Sequence, residues 1–254
     1  MHQPHLFDLT GQLAVITGGT RGIGQAAAIG LAKAGADIIL LQRNRSDQKT
    51  QSKIKALGRQ AIILPCEMGD HKQLKTIIPT IVEKYQRLDI LVNSAGIQRR
   101  SPAISFSEDD WDEVININLK AIWLLSQAAG QYMVQQQSGK IINIASLLSF
   151  QGGITVPAYA AAKGGVTQLT KALANEWAEH NVNVNAIAPG YIATEMNTAL
   201  LNDETRNRQI LERIPAGRWG QPEDFEGTVV YLASRASNYV HGHTVVVDGG
   251  WLGR

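Results

Sequence analysis

The sequence predicts an α/β fold: a doubly wound parallel sheet of about seven strands with helices on both faces, in one domain over residues 1–254. Three observations carry that expectation. Short β-branched runs alternate with helically spaced segments from end to end, the pattern of a parallel sheet joined by right-handed crossovers. The runs are almost continuously apolar, as strands buried on both faces must be. A glycine-rich turn stands directly between the first run and the first helical segment, where an open Rossmann-type sheet places its phosphate-binding loop.

The elements follow in order. Strands are expected at 13–17, 37–41, 60–64, 89–92, 140–144, 182–188 and 244–247. Helices are expected at 22–34, 47–58, 70–86, 107–137, 158–180 and 222–234. Ser107 with Asp109 and Asp110 opens one helix by placing negative charge at its positive end. Pro222 suits the first turn of another. The segment 191–221 breaks the alternation; it holds a helix-like patch at 203–213 and reads as a lid over a ligand site.

Composition narrows the function classes. With 24 Lys+Arg against 22 Asp+Glu, no strong field argues for a nucleic acid or an anionic membrane as partner. At 44% hydrophobic and 18% charged residues, disorder is excluded. No apolar run approaches the roughly 18 residues that cross a bilayer. Residues 1–11 lack a basic region followed by an apolar core, so no secretory leader is expected. The lone Cys66 cannot form an internal disulfide and fits a reducing, cytoplasmic compartment.

The glycines are a map. They number 24 of 254, a modest excess over about 7%, and the excess gathers at 18–24, 96, 152–153, 190 and 249–250. The first group reads Thr17-Gly18-Gly19-Thr20-Arg21-Gly22-Ile23-Gly24. Glycine lets the backbone turn tightly and approach a pyrophosphate seated on the helix N-terminus. The Lys-Ser/Thr of an ATP-type loop is missing. At the end of the second strand a carboxylate would mark NAD, whereas a cation would suit the 2′-phosphate of NADP. The chain offers Gln42, Arg43 and Arg45 there, with Arg21 in the turn, which favours NADP. A charge-assisted bond is worth roughly 1.5–3 kcal/mol, about 10- to 150-fold in affinity.

Tyr159 and Lys163 stand four apart in a helical stretch, on one face. A neighbouring ammonium, reinforced by an oxidised nicotinamide, lowers a phenol's pKa and fits it for proton transfer while a hydride moves. Ser146 closes the fifth strand, where its hydroxyl can polarise a carbonyl.

These motifs resemble the short-chain dehydrogenase/reductase family over essentially the whole length. The resemblance rests on the glycine turn, Asn93-Ser94-Ala95-Gly96, Asn118, Ser146, Tyr159, Lys163, Pro189-Gly190 and Thr194, all in order. It implies a catalytic tetrad: Tyr159 as general acid/base, Ser146 orienting the substrate oxygen, Lys163 holding the ribose, and Asn118 holding a proton-relaying water. It implies NADP or NAD as cofactor, met by Gly18, Thr20, Arg21, Gly22, Ile23 and Gly24 of the turn. Further contacts are implied from Arg43, Glu67 and Met68, from Asn93, Ala95 and Gly96, and from Tyr159 and Lys163. Pro189, Gly190, Ile192 and Thr194 complete that set, with Asn93 supporting the cofactor floor. Two positions depart from the family pattern: Ser94 where Asn is usual, and Glu67 where Asp is usual.

A narrower resemblance, in 140–153, 175–178, 213–220 and 248–252, is to sugar-acid dehydrogenases of the deoxygluconate type. It implies a keto sugar acid as substrate and a homotetramer. Many such enzymes favour NAD, which pulls against the reading of Arg43. For the substrate's carboxylate and hydroxyls the sequence offers Arg100, beside Arg99, and Gln151. Two alternatives stay open: reduction of another carbonyl, such as a 3-oxoacyl thioester or a sugar or polyol ketone, and a non-catalytic NAD(P) sensor. The pair His241 and His243 lacks a third ligand, so no metal is expected.

Overall fold

The computed structural model describes residues 5–254; the reading of 1–11 as leaderless falls in part on residues outside that range. The strands are β1 (Leu13–Thr17), β2 (Asp37–Gln42), β3 (Ala61–Pro65), β4 (Ile90–Asn93), β5 (Gly139–Ile144), β6 (Val182–Pro189) and β7 (Thr244–Val247). All pair in parallel, in the order β3-β2-β1-β4-β5-β6-β7. The expected sheet of about seven strands is therefore present, and each strand lies within a residue or so of its predicted run.

The helices are α1 (Gly22–Lys33), α2 (Lys49–Ala56), α3 (His71–Tyr85), α4 (Glu108–Ile115), α5 (Ala121–Gln135), α6 (Pro157–Trp177), α7 (Thr198–Asn202), α8 (Glu204–Arg213) and α9 (Glu226–Ala233). Strand residues alternate between two cores. Ala14, Ile16, Ile38, Leu40 and Val92 pack with α1 and α9 residues such as Leu31 and Val229. Leu13, Val15, Ile39, Leu41 and Leu91 pack with α3 and α5 residues such as Ile78 and Leu125. The period of two thus sorts even a continuously apolar strand into two faces.

Side-chain caps mark several helix starts. Asp70 accepts from Lys72 and Gln73 N–H, Ser107 from Asp110, and Asp203 from Arg206. The single helix expected over 107–137 is instead broken into α4 and α5 by a π-turn at Asn116–Lys120. Ile117 and Leu119 carry the apolar spacing through this break, so periodicity alone conceals it.

The strand order reverses between β1 and β4. The carboxyl ends there lie in register, Thr17 beside Asn93 and Asn93 beside Asn143. Such a switch point opens a crevice beyond the strand ends.

Candidate active site

The crevice is real: a cleft of about 1860 Å3 runs along the carboxyl ends of the strands. Sites for one small molecule usually occupy roughly 300–1,000 Å3, so this one has room for a dinucleotide and a second ligand.

Its phosphate-binding end is built from backbone. Thr17 Oγ1 accepts the N–H groups of Ser94 and Ala95, each at 3.0 Å, which ties the β1 turn to the β4 loop. Gly18 has φ +68°, and a Cβ there would lie 2.8 Å from Ala95 Cα. A Cβ on Gly24 would collide with the Gly18 carbonyl. Neither position tolerates a side chain. Helix α1 begins at Gly22 with no side-chain cap and no acid in its first turn, so its positive end is left to whatever lies in the cleft. Cleft volume, glycine cradle and uncapped helix together fit a nicotinamide dinucleotide.

Gln42 is buried at the end of β2 and donates to Asn44 O at 2.7 Å and Asp47 O at 2.8 Å. It shapes the turn that presents Arg43. The Arg43 guanidinium is solvent-exposed and only 3.9 Å from Glu67, a pair worth about 0–1 kcal/mol at most. Arg21 reaches Glu195 across the mouth at 3.0 Å, both groups well exposed.

Ser146 follows β5 and opens the short turn Leu147–Ser149, where its Oγ accepts the Leu148 N–H at 3.2 Å. The same hydroxyl lies beside the Tyr159 phenol and favours its charged form. Pro157 starts α6, and Tyr159 and Lys163 rise from its first turns toward the cleft. Lys163 Nζ donates to Ile144 O at 2.6 Å and lies 5.6 Å over the Tyr159 ring centroid. Burial lowers the ammonium's pKa to about 8, so it stays charged at neutral pH. The phenol moves the other way, up to about 12: burial outweighs the Ser146 hydrogen bond and the charge of Arg100. Lys163 does not offset the burial in this arrangement, and the phenol stays protonated.

Two expected residues stand behind the wall of the cleft. Asn93 is buried; its amide donates to Asn143 Oδ1 at 2.8 Å and Ser126 Oγ at 3.2 Å. Asn143 in turn donates to Thr170, a polar chain binding β4 and β5 to α5 and α6 beneath the floor. Asn118 sits in the π-turn, wholly buried, its amide clasping the Ile97 backbone: it accepts from Ile97 N–H at 2.9 Å and donates to Ile97 O at 2.8 Å. That clasp fixes the loop after β4. The remaining expected contacts, from Gly18 through Thr194, all line the cleft.

Neighbouring arginines part company. Arg99 pairs with Glu113 at 2.7 Å and Asp110 at 3.4 Å on α4. Arg100 has no carboxylate partner among the described residues and turns its charge on Tyr159. Gln151 also lines the cleft, its Oε1 accepting the Trp251 indole N–H at 3.3 Å.

The segment 191–221 contributes α7 and α8. Trp219 is packed, its indole N–H donating to Asn207 Oδ1, and Arg218 forks onto Asp224. Sequence reasoning missed Arg206, Gln209 and Arg213, which line the cleft from α8. Their spacing of three and seven in the helix-like patch was the available signal. It also missed Trp251, which the tail brings back to the site. His241 hydrogen-bonds Asn183 and the Asn238 carbonyl.

The family model described as enoyl-(acyl carrier protein) reductase matches residues 18–252. The chain is 51% identical over 249 residues to 2-dehydro-3-deoxy-D-gluconate 5-dehydrogenase of Dickeya dadantii, covering 98% of each. The enzyme of that name from Bacillus subtilis is 51% identical over 248 residues, with 98% of this chain and 97% of the relative covered. The crystal structure of a gluconate 5-dehydrogenase from Burkholderia cenocepacia, in complex with NADP and tartrate, superposes with a TM-score of 0.94 at 40% identity, covering 98% of both chains.

Proposed function

Because the chain belongs to the short-chain dehydrogenase/reductase family and is an NAD(P)-dependent oxidoreductase acting on CH–OH groups, we propose that it interconverts a keto sugar acid of the deoxygluconate type with its hydroxy form. The single observation that carries this reading is the convergence of Ser146, Tyr159 and Arg100 in the cleft, a proton donor and a carbonyl-binding hydroxyl beside a guanidinium with no acidic partner among the described residues. The relatives named for deoxygluconate and gluconate chemistry point the same way, as does the tartrate held by the Burkholderia enzyme.

The nicotinamide, when bound, supplies or accepts the hydride. The chain does the rest. Ser146, held by the Leu148 N–H beside the Tyr159 phenol, would turn its hydroxyl onto the same substrate oxygen. Tyr159 hands its phenolic proton to that oxygen during reduction and takes it back during oxidation. Burial raises its pKa, so the phenol carries its proton at neutral pH. Lys163 uses one of three ammonium donors on Ile144 O and keeps the others for the cofactor ribose. Asn118, by clasping Ile97, holds the loop that carries Arg100. Arg100 takes the substrate carboxylate in a two-point fork, and Gln151 offers its amide N–H groups to a hydroxyl.

Gly18, Thr20, Arg21, Gly22, Ile23 and Gly24 would hold the pyrophosphate. Glu67, Met68, Ala95 and Gly96 would flank the adenosine, with Asn93 supporting the floor. Pro189, Gly190, Ile192 and Thr194 would meet the nicotinamide. Arg43, with no carboxylate at the end of β2, favours NADP, the nucleotide held by the Burkholderia relative. Residues 191–221 act as the lid of a single domain. The working form is a cytoplasmic homotetramer.

The test is a panel of keto sugar acids and hydroxy acids with NADP(H) and NAD(H), followed by nicotinamide absorbance. Turnover of deoxygluconate-type acids well above 3-oxoacyl thioesters and neutral ketones is expected; the reverse preference overturns the reading.

A further inference from the structure

Six arginines line the cleft, and their partners divide them. Arg21, Arg43 and Arg99 each face a carboxylate. Arg100, Arg206 and Arg213 face none among the described residues; Arg206 donates to the Gln209 amide. Arg213 is held differently. Its Cζ lies 4.0 Å over the Trp251 ring. A guanidinium stacked on an indole is fixed in plane while its N–H edge stays free.

Trp251 has a second engagement. It is 4% exposed, packs 4.6 Å from the Tyr191 ring, and donates its indole N–H to Gln151 Oε1 at 3.3 Å. With that oxygen occupied, the free end of the Gln151 amide is its NH2 group. Gln151 follows Ser146 by five residues, and Trp251 shares an apolar cluster with Leu147, next to Ser146, and with Ile210 of α8. One indole at the chain's end therefore fixes a cationic fork and an amide donor, both in the cleft and both tied to the catalytic serine's turn.

We infer that Arg213 is a specificity-determining residue that binds the carboxylate of the substrate together with Arg100, and that Trp251 is the positioning residue that holds Arg213 and Gln151 for it. This rests on the keto-acid reading above. A neutral pocket would have no use for a second fork without an acidic partner.

Gluconate and glucitol, which differ by a carboxylate against a hydroxymethyl group, separate the outcomes. Their Kd values are measured on cofactor-saturated enzyme by calorimetry, alongside Tm. Arg213→Gln should weaken gluconate about 10- to 100-fold and leave glucitol within about twofold, with Arg213→Lys recovering part of the loss. Trp251→Phe keeps the stack and loses the indole N–H. It should weaken both compounds several-fold in the wild-type background and add nothing to Gln151→Ala. Wild-type enzyme that binds both compounds equally would remove the keto-acid reading and this inference with it. A wild-type preference for gluconate that survives Arg213→Gln unchanged overturns the inference alone, as does a Trp251→Phe effect that is undiminished beside Gln151→Ala.

Discussion

Two lysines serve opposite ends of strand β5, and burial lowers each to a pKa of about 8. Lys140, at the amino end, gives its ammonium to Asn183 Oδ1 at 3.0 Å, Asn238 Oδ1 at 2.9 Å and Ser237 Oγ at 3.5 Å. Three donors meet three neutral oxygens, and nothing is left over. Lys163, at the carboxyl end, spends one donor on the last carbonyl of the strand and faces the cleft with the rest. A depressed pKa therefore does not separate a structural lysine from a working one. Unspent hydrogen-bonding capacity does, and the same test sets Arg100 apart from Arg99.

Replacing each lysine by methionine breaks the comparison most severely. Lys163→Met should lower kcat/KM on the order of 10²–10⁴-fold with little change in a urea unfolding midpoint. Lys140→Met should spare activity per folded molecule and cost about 1–3 kcal/mol by stranding its oxygens. The opposite pattern would reverse the two roles.

Arg43 extends the contrast to an exposed group. Its pair with Glu67 is too loose to matter for stability, so its guanidinium is free for a phosphate. Arg43→Ala should weaken NADP about 10- to 150-fold and NAD by less than about twofold in fluorescence titrations. Equal losses would refute the ribose-phosphate role.

The smallest effect is on stability against pH. A lysine held below its unfolded pKa of 10.5 binds fewer protons folded than unfolded between about pH 8 and 10.5. Stability should therefore rise with pH across that window, by at most about 1.2 kcal/mol per unit for each lysine. The thiol of Cys66, raised by burial from 9.0 to about 11, opposes the trend above pH 9. In urea melts between pH 8 and 9 the lysines outweigh the thiol, and Lys140→Met should roughly halve the slope. A slope unaltered by that substitution would show that Lys140 titrates no differently folded and unfolded.

The sheet was legible because its strands are apolar on both faces and its helices periodic; β1 and β7 fall on their predicted residues. The spacing of Tyr159 and Lys163 on one helix face was legible, and both line the cleft. Contacts across the fold were not. Arg99 and Arg100 are indistinguishable neighbours until α4 brings Asp110 and Glu113 to the first. The clasp of Asn118 on Ile97 spans 21 residues and depends on a π-turn hidden inside an unbroken apolar period. Trp251 meets Gln151 from 100 residues away. The raised phenol of Tyr159 is likewise a product of packing, which no residue spacing encodes.

The central claim is that Tyr159 supplies the proton in a cleft whose nucleotide site is built mainly from other residues. Tyr159→Phe tests this most directly when nucleotide affinity and turnover are measured on one preparation. NADP binding is predicted to stay within a few-fold of wild type while turnover of keto sugar acids falls to background. A Phe variant that reduces those acids at the wild-type rate would contradict the account.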